Sequence, residues 1–370
     1  MEKKFIYPDF NHSNLNVSST LAEFLGAPNK HSILPKLKQE LNKGYKNVVF
    51  ICFDGMGIYP MKKNLGEDDF LMRNIKDVLT STFPSTTTNA TNSLLQNKLP
   101  REHGWFGWSL NFEKMNRNIN IFLNTDSWTS EKVEITDSPL DELDYYFDNT
   151  NSDYEINTIF PPYVKVKHEE RNYVYSGLYE FGDYIKEICE KDGKQFIYSY
   201  YPDPDATMHD YGVTSDRVKA VIEDISEMMQ NLHKSTNNTL FVITADHGQI
   251  DVEGTIALYE DTEILDMLEI YPYLEARAVC FKVKSDKKEN FKEIFERKYG
   301  EDFVLFESKE LIQKGVFGDF GNKEHLLGDY IAIGTFTHKT MLLTPTNHRF
   351  KGHHTSLTEE MEVPLIILKN

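Results

Sequence analysis

Acidic and imidazole side chains recur directly beside short apolar runs in this chain. Asp54 follows "NVVFICF" (47–53) and is itself followed by Gly-Met-Gly. After "QFIYSYY" (195–201) comes "PDPDATMHDYG", which sets Asp205 four residues before His209. Asp246 and His247 follow "TLFVITA" (239–245), and His353 and His354 precede the last run, "VPLIIL" (363–368). Each pair is weak by itself. Asp-Gly is ordinary turn chemistry, and Asp203-Pro204 reads as an N-cap followed by proline at the first helical position. That same helix start would put Asp205 and His209 one turn apart on a common face, where a carboxylate and an imidazole can chelate one ion. Taken together, the carboxylates and imidazoles suit two zinc ions, each with three protein ligands and positions left open for substrate. Two such ions would clamp an in-line displacement at phosphorus.

A nucleophile is then required. "STFPSTTTNATN" (81–92) places many hydroxyls at the start of a helix. Most suit capping, because Ser and Thr oxygens accept from the first unpaired amides. Beside two cations at a helix N-terminus, one threonine hydroxyl would lose its proton far more readily than a free alcohol and could attack phosphorus. Spacing alone does not select which.

These residues converge only if the apolar runs share one sheet. Their alternation with helical patterns such as "LYEFGDYIKEICEK" (178–191) and "SDRVKAVIEDISEMMQNLHK" (215–234) predicts an α/β fold. The expected architecture is a doubly wound, mostly parallel central sheet with helices on both faces. Sites in such sheets lie beyond the carboxyl ends of the strands. After residue 254, "ARAVCFKVKS", "DKKENFKEIFERKYG" and "DFVLFESKELIQKG" read as strand, helix, strand and helix, a small α+β insert at 269–325. The catalytic domain would then comprise 1–268 and 326–370, the chain returning to the main sheet through "DYIAIGTF" and "KTMLLTP". Residues 125–170 read as a long surface excursion near the site.

The 370-residue length suits one large domain with an insert, and 40% hydrophobic and 13% aromatic residues suffice for a sizeable core. A formal net charge of −18 excludes a nucleic-acid polymer or an anionic membrane as main partner. A small phosphate ester fits if cations reverse the field locally. The three cysteines, Cys52, Cys189 and Cys280, are far apart and sit in apolar settings, which points to inert thiols and a reducing, cytoplasmic location. No segment is long and apolar enough to span a bilayer.

With these segments assembled, the chain resembles the alkaline phosphatase superfamily, and within it the type I phosphodiesterase and nucleotide pyrophosphatase branch. The matching pieces are "FDGMG" (53–57), "TFPSTTTNATNSLLQNKLPREHG" (82–104), "PDATMHDYG" (204–212), "ADHG" (245–248) and "GHHTSLTEEMEVPL" (352–365), in the family's order. The resemblance implies that Asp54, Asp246 and His247 hold one zinc and that Asp205, His209 and His354 hold the other. It further implies that Thr87 is the nucleophile and that His353 lines the site. One departure is visible: "EHGWFGWSL" places Trp108 where better-known phosphodiesterases carry an Asn that holds a phosphate oxygen. An indole can donate one hydrogen bond or stack on a substrate ring, so Trp108 and its neighbour Trp105 are expected at the substrate. The activity implied is cleavage of a phosphodiester or nucleotide pyrophosphate through a phosphothreonine intermediate. The rivals are a phosphomonoesterase or phosphonate hydrolase with the same metals, a phosphosugar mutase, or a non-catalytic metal-binding protein. His103 suits a turn; His325, His338 and His348 suit structural or solvated roles; Arg277 starts a strand of the insert.

Overall fold

The computed structural model describes residues 4–135, 138, 140, 143–345 and 349–370, so His348 and parts of the 125–170 excursion lie outside the described residues. Its centre is a seven-stranded sheet in the order Ile75–Thr80, Glu362–Lys369, Thr239–Thr244, Asn47–Phe53, Lys194–Tyr201, Tyr154–Phe160 and Asn172–Val174. Every residue of Asn47–Phe53 and of Thr239–Thr244 is buried. Since successive strand side chains point to opposite faces, both faces are covered. Helices Leu178–Glu190 and Asp216–Ser235 pack together, as do Asn14–Phe24 and Thr87–Gln96. Ser215 caps Asp216–Ser235 by accepting from the Val218 amide.

Asn47–Phe53 pairs in parallel with Lys194–Tyr201 and with Thr239–Thr244, whereas Glu362–Lys369 runs antiparallel to both its neighbours. That reversal explains why His353 and His354 precede their strand while Asp54 and Asp246 follow theirs. All four reach the same sheet edge.

Two expectations need correction. Tyr154–Phe160, inside the 125–170 segment, is a strand of the main sheet, not surface excursion, and pairs with the edge strand Asn172–Val174 just beyond it. The polar residues Glu155, Asn157 and Thr158 break the apolar pattern, yet Asn157 is buried and its amide donates to Gln195 Oε1 at 2.9 Å. The run 330–334 also does not return to the main sheet. It joins a second, antiparallel sheet in the order Phe303–Glu307, Tyr330–Gly334, Ala278–Phe281, Tyr273–Leu274, Ser109–Phe112, Arg117–Asn120 and Thr125–Asp126. Lys339–Leu342 pairs instead with Gly254–Ala257. A short apolar run reports burial, not which of two buried sheets it enters. The helices Lys288–Tyr299 and Ser308–Gln313 accompany the second sheet.

Arg277 is fully buried and unavailable to a phosphate. Its Nε lies 3.2 Å from Glu360 Oε1, and its guanidinium donates to Lys339 O at 2.8 Å and Thr335 O at 3.2 Å. Removing one partner of such a pair strands a charge. Arg277→Met is therefore expected to destabilise the protein by roughly 3–5 kcal/mol in urea unfolding. A loss below about 1 kcal/mol, the value of an exposed pair, would contradict this. The three cysteines are free and buried. No described helix is long and apolar enough to cross a membrane.

Candidate metal centre and nucleophile

Asp54 leaves the strand Asn47–Phe53 still hydrogen-bonded to the sheet, its amide donating to Tyr201 O at 2.9 Å. Gly55 follows at φ +69°, where a Cβ would lie 2.9 Å from that of Asp205. Only glycine combines that backbone with that approach. Asp246 is fully buried, and its Oδ1 accepts from the amides of Gly55 at 3.0 Å and His247 at 2.9 Å. Its Oδ2 has no hydrogen-bond partner. His247 donates from Nδ1 to Gly248 O at 2.9 Å, which leaves the Nε2 lone pair facing Asp54 Oδ1 and Asp246 Oδ2, each at 3.4 Å. Three lone-pair donors aimed at one point, one of them orphaned in the interior, fit a cation.

The second group repeats this logic. Asp205 opens the helix Asp205–Tyr211 and His209 lies one turn on. Pro204 occupies the N-cap position, one residue later in the helix frame than the Asp203-Pro204 reading had it, and Asp203 Oδ1 accepts from Thr207 instead. The His209 Nδ1–H donates to Gly352 O at 2.9 Å, so Nε2 faces His354 Nε2 at 3.2 Å and Asp205 Oδ2 at 3.4 Å. With the His209 proton held on Nδ1, its Nε2 lone pair points at His354, whose buried Nδ1 has no hydrogen-bond partner. In each group the three ligand atoms lie within 4.8 Å of one another. The groups adjoin, with the His247 and His354 ring centroids 4.0 Å apart.

Without cations this cluster is electrostatically frustrated. Burial pushes the Asp54 carboxyl well above the ordinary range, and the charges of Asp246 and Asp205 push it further. Burial also raises Asp246. Burial and the neighbouring imidazoles hold His354 and His353 well below the usual histidine value. Bound cations invert this logic, favouring ionised carboxylates and neutral imidazoles.

Thr87 begins the helix Thr87–Gln96. Its Oγ1 lies 3.3 and 3.4 Å from the Asp54 carboxylate oxygens and 3.2 Å from His247 Nε2. Of the neighbouring hydroxyls, Ser81 donates to Asp246 O at 2.5 Å, Ser85 to Ser356 O at 2.9 Å, Thr86 to Glu275 Oε1 at 2.8 Å and Thr91 to Thr87 O at 2.5 Å, while Thr88 Oγ1 is buried without a partner and outside both ligand groups. The geometry thus separates Thr87 from the structural hydroxyls around it.

A cavity of about 1150 Å³ opens over Thr87 and is lined by Trp105, Trp108, Phe122, His353 and His354. Trp108 is 43% exposed, and the Trp105 and Trp108 rings lie 5.7 and 6.2 Å from that of Phe122. His103 is remote from the ligands in role: its Nδ1 accepts from the Trp105 amide at 2.9 Å and its Nε2–H donates to Ser93 Oγ at 3.0 Å. His325 and His338 likewise meet Asn322 O and Glu359.

Three residues were not singled out from sequence. Tyr200 donates its hydroxyl to Asp54 Oδ2. Gln249 is fully buried and donates from Nε2 to Asp205 Oδ1 at 2.5 Å, tying the loop after Asp246-His247 to the other group. Glu275 lines the cavity. A polar residue directly after "ADHG" was a usable signal for Gln249; nothing in "YLEARAV" marks Glu275. Second-sphere partners commonly change metal affinity by about 10–100-fold. Gln249→Leu is expected to weaken divalent-cation binding by that factor in a competitive chelator titration, while affinity equal to wild type would show that Asp205 needs no such anchor.

The family model described as Type I phosphodiesterase / nucleotide pyrophosphatase matches residues 48–324. No curated protein sequence matches the chain. Among solved structures, an inactive form of murine ectonucleotide pyrophosphatase / phosphodiesterase 5 in complex with AMP is similar, with a TM-score of 0.65 and 19% identity over 87% of each chain. The human counterpart has the same TM-score of 0.65, with 17% identity over 87% of each chain. Phosphonoacetate hydrolase from Sinorhizobium meliloti 1021 has a TM-score of 0.58 and 13% identity, covering 87% of this chain and 89% of its own. At these identities the likeness establishes the alkaline-phosphatase-like fold.

Proposed function

The chain belongs to the type I phosphodiesterase / nucleotide pyrophosphatase family of hydrolases, and from that premise we propose that it cleaves phosphodiester or nucleotide pyrophosphate bonds through a phosphothreonine at Thr87. The observation that carries this reading is the Thr87 hydroxyl, set within 3.2–3.4 Å of ligand atoms from both His247 and Asp54. Asp54, Asp246 and His247 would hold one divalent cation, and Asp205, His209 and His354 the other. Imidazole mixed with carboxylate favours zinc. When bound, the pair supplies positive charge that lowers the nucleophile's pKa and neutralises the phosphoryl oxygens.

The chain's own residues do the rest. Tyr200 and the Gly55 amide fix the Asp54 and Asp246 carboxylates against which the Thr87 hydroxyl is oriented. The first amides of the Thr87–Gln96 helix face an anion favourably. Trp105 and Trp108 offer aromatic faces to a base or aryl group, and His353 lines the pocket beside them. AMP, held by the murine relative, is the monoester product that cleavage of a nucleotide diester or pyrophosphate would leave, which supports a nucleotidyl group in the substrate.

A zinc-supplemented panel of nitrophenyl nucleotide diesters, dinucleoside pyrophosphates, monoesters and phosphonates tests the proposal. Diester or pyrophosphate turnover exceeding monoester turnover is expected. Preference for monoesters or phosphonates would support the rival hydrolases, and zinc binding without hydrolysis would support a non-catalytic protein.

A further inference from the structure

Glu275 stands in the cavity wall beside the nucleophile turn. It is only 7% exposed, and its Oε1 accepts from the Thr86 hydroxyl and from the Trp108 amide, each at 2.8 Å. Both partners are neutral groups. Gly107 makes the space, since a Cβ there would lie 3.0 Å from Glu275 Cγ. Thr86 immediately precedes Thr87, and Trp108 lines the same cavity. Glu275 therefore sets a buried carboxylate beside the turn that carries the nucleophile. The remainder of the lining offers little positive charge: among the described residues it includes Lys165 and no other Lys or Arg.

We propose that Glu275 is a specificity-determining residue that rejects phosphate monoester dianions in favour of diester monoanions. The inference rests on the functional reading above. Two divalent cations set against Asp54, Asp205 and Asp246 leave one net positive charge, which an ionised Glu275 reduces to zero. A monoester dianion then brings one more uncompensated negative charge than a diester monoanion does, next to the like charge of Glu275. A neutral amide would make the same two hydrogen bonds, so hydrogen bonding alone does not require a carboxylate here. Burying a carboxylate is unfavourable in itself, and repulsion of a wrong substrate is a function that only the charge performs. Burial pushes this carboxyl up to about 7, so it is anionic in alkaline assays.

The test compares wild type with Glu275→Gln in zinc-loaded protein at about two units above that value. The expected result is a rise of at least about tenfold in the monoester-to-diester ratio of kcat/KM, the scale of one like-charge pair in a partly solvated site. Calorimetric titration gives a readout without turnover. Phenylphosphonate, a dianion, should bind the variant more tightly by a similar factor, while methylphenylphosphinate, a monoanion, should gain less. Both ratios unchanged, or both esters losing rate in parallel, would overturn the inference and leave Glu275 a structural brace. If Glu275→Gln does not fold, wild type alone decides: phenylphosphonate binding at least as tightly as the phosphinate overturns the inference, and weaker binding supports it. A wild-type protein that hydrolyses no diester contradicts the preceding functional reading as well; an active diesterase with an unchanged ratio contradicts this inference alone.

Discussion

Thr87→Ala is expected to lower diester turnover by about 10⁴-fold or more, the scale on which removing an enzyme nucleophile acts, while zinc content stays at the wild-type level. The reason is positional. The Thr87 hydroxyl is the oxygen in the 81–91 segment that lies among ligand atoms, 3.2 Å from His247 Nε2 and 3.3 Å from Asp54. The metal groups do not include Thr87, so the cage should survive the substitution. Steady-state kinetics with a nitrophenyl diester, paired with metal analysis of the same sample, reads both halves. Thr87→Ser should recover part of the rate, because it restores the oxygen. Near wild-type turnover by Thr87→Ala would remove Thr87 from the reaction. Loss of zinc along with activity would mean that the substitution disturbed the cage.

Removing the cations should have the second largest effect. Chelation is expected to abolish hydrolysis and also to destabilise the fold, because Asp54 and Asp246 are buried against each other and Asp246 Oδ2 has no partner. A ligand present at about 1,000 times its dissociation constant stabilises by about 4 kcal/mol, and two such sites by correspondingly more. Thermal melts should therefore rise steeply with added zinc. Asp246→Asn should abolish most of that zinc-dependent gain, and the metal-free variant should melt no lower than metal-free wild type, since it removes a buried charge rather than a contact. An unchanged melting temperature on adding zinc to wild type would show that these carboxylates and imidazoles do not form a metal site.

Much of this centre was legible in the chain because strand, ligand and turn residues are contiguous. Asp54 and Asp246 directly follow fully apolar strands, and the i, i+4 spacing of Asp205 and His209 survives any one-residue error in the helix boundary. The placement of the helix start was in fact off by one, and the ligands did not move. Choosing His354 over His353 relied on the family resemblance; the geometry shows His354 Nε2 opposite His209 while His353 Nδ1 accepts the His354 amide at 2.8 Å. What escaped the sequence is long-range. Tyr154–Phe160 hides a strand behind polar residues whose partners come from a strand nearly 40 positions away. Tyr330–Gly334 carries no mark of which sheet it joins. Glu275 reaches Thr86 from the turn between Tyr273–Leu274 and Ala278–Phe281 of the second sheet, a contact across 189 positions that no local pattern encodes.

Anomalous diffraction at the zinc edge, from crystals grown with zinc, addresses the pair of cation sites most directly. Two peaks are expected, one bounded by Asp54, Asp246 and His247 and the other by Asp205, His209 and His354, with Thr87 Oγ1 adjoining the first. No peak in these two groups, or zinc bound only elsewhere on the surface, would contradict the two-metal centre and the hydrolytic chemistry inferred from it.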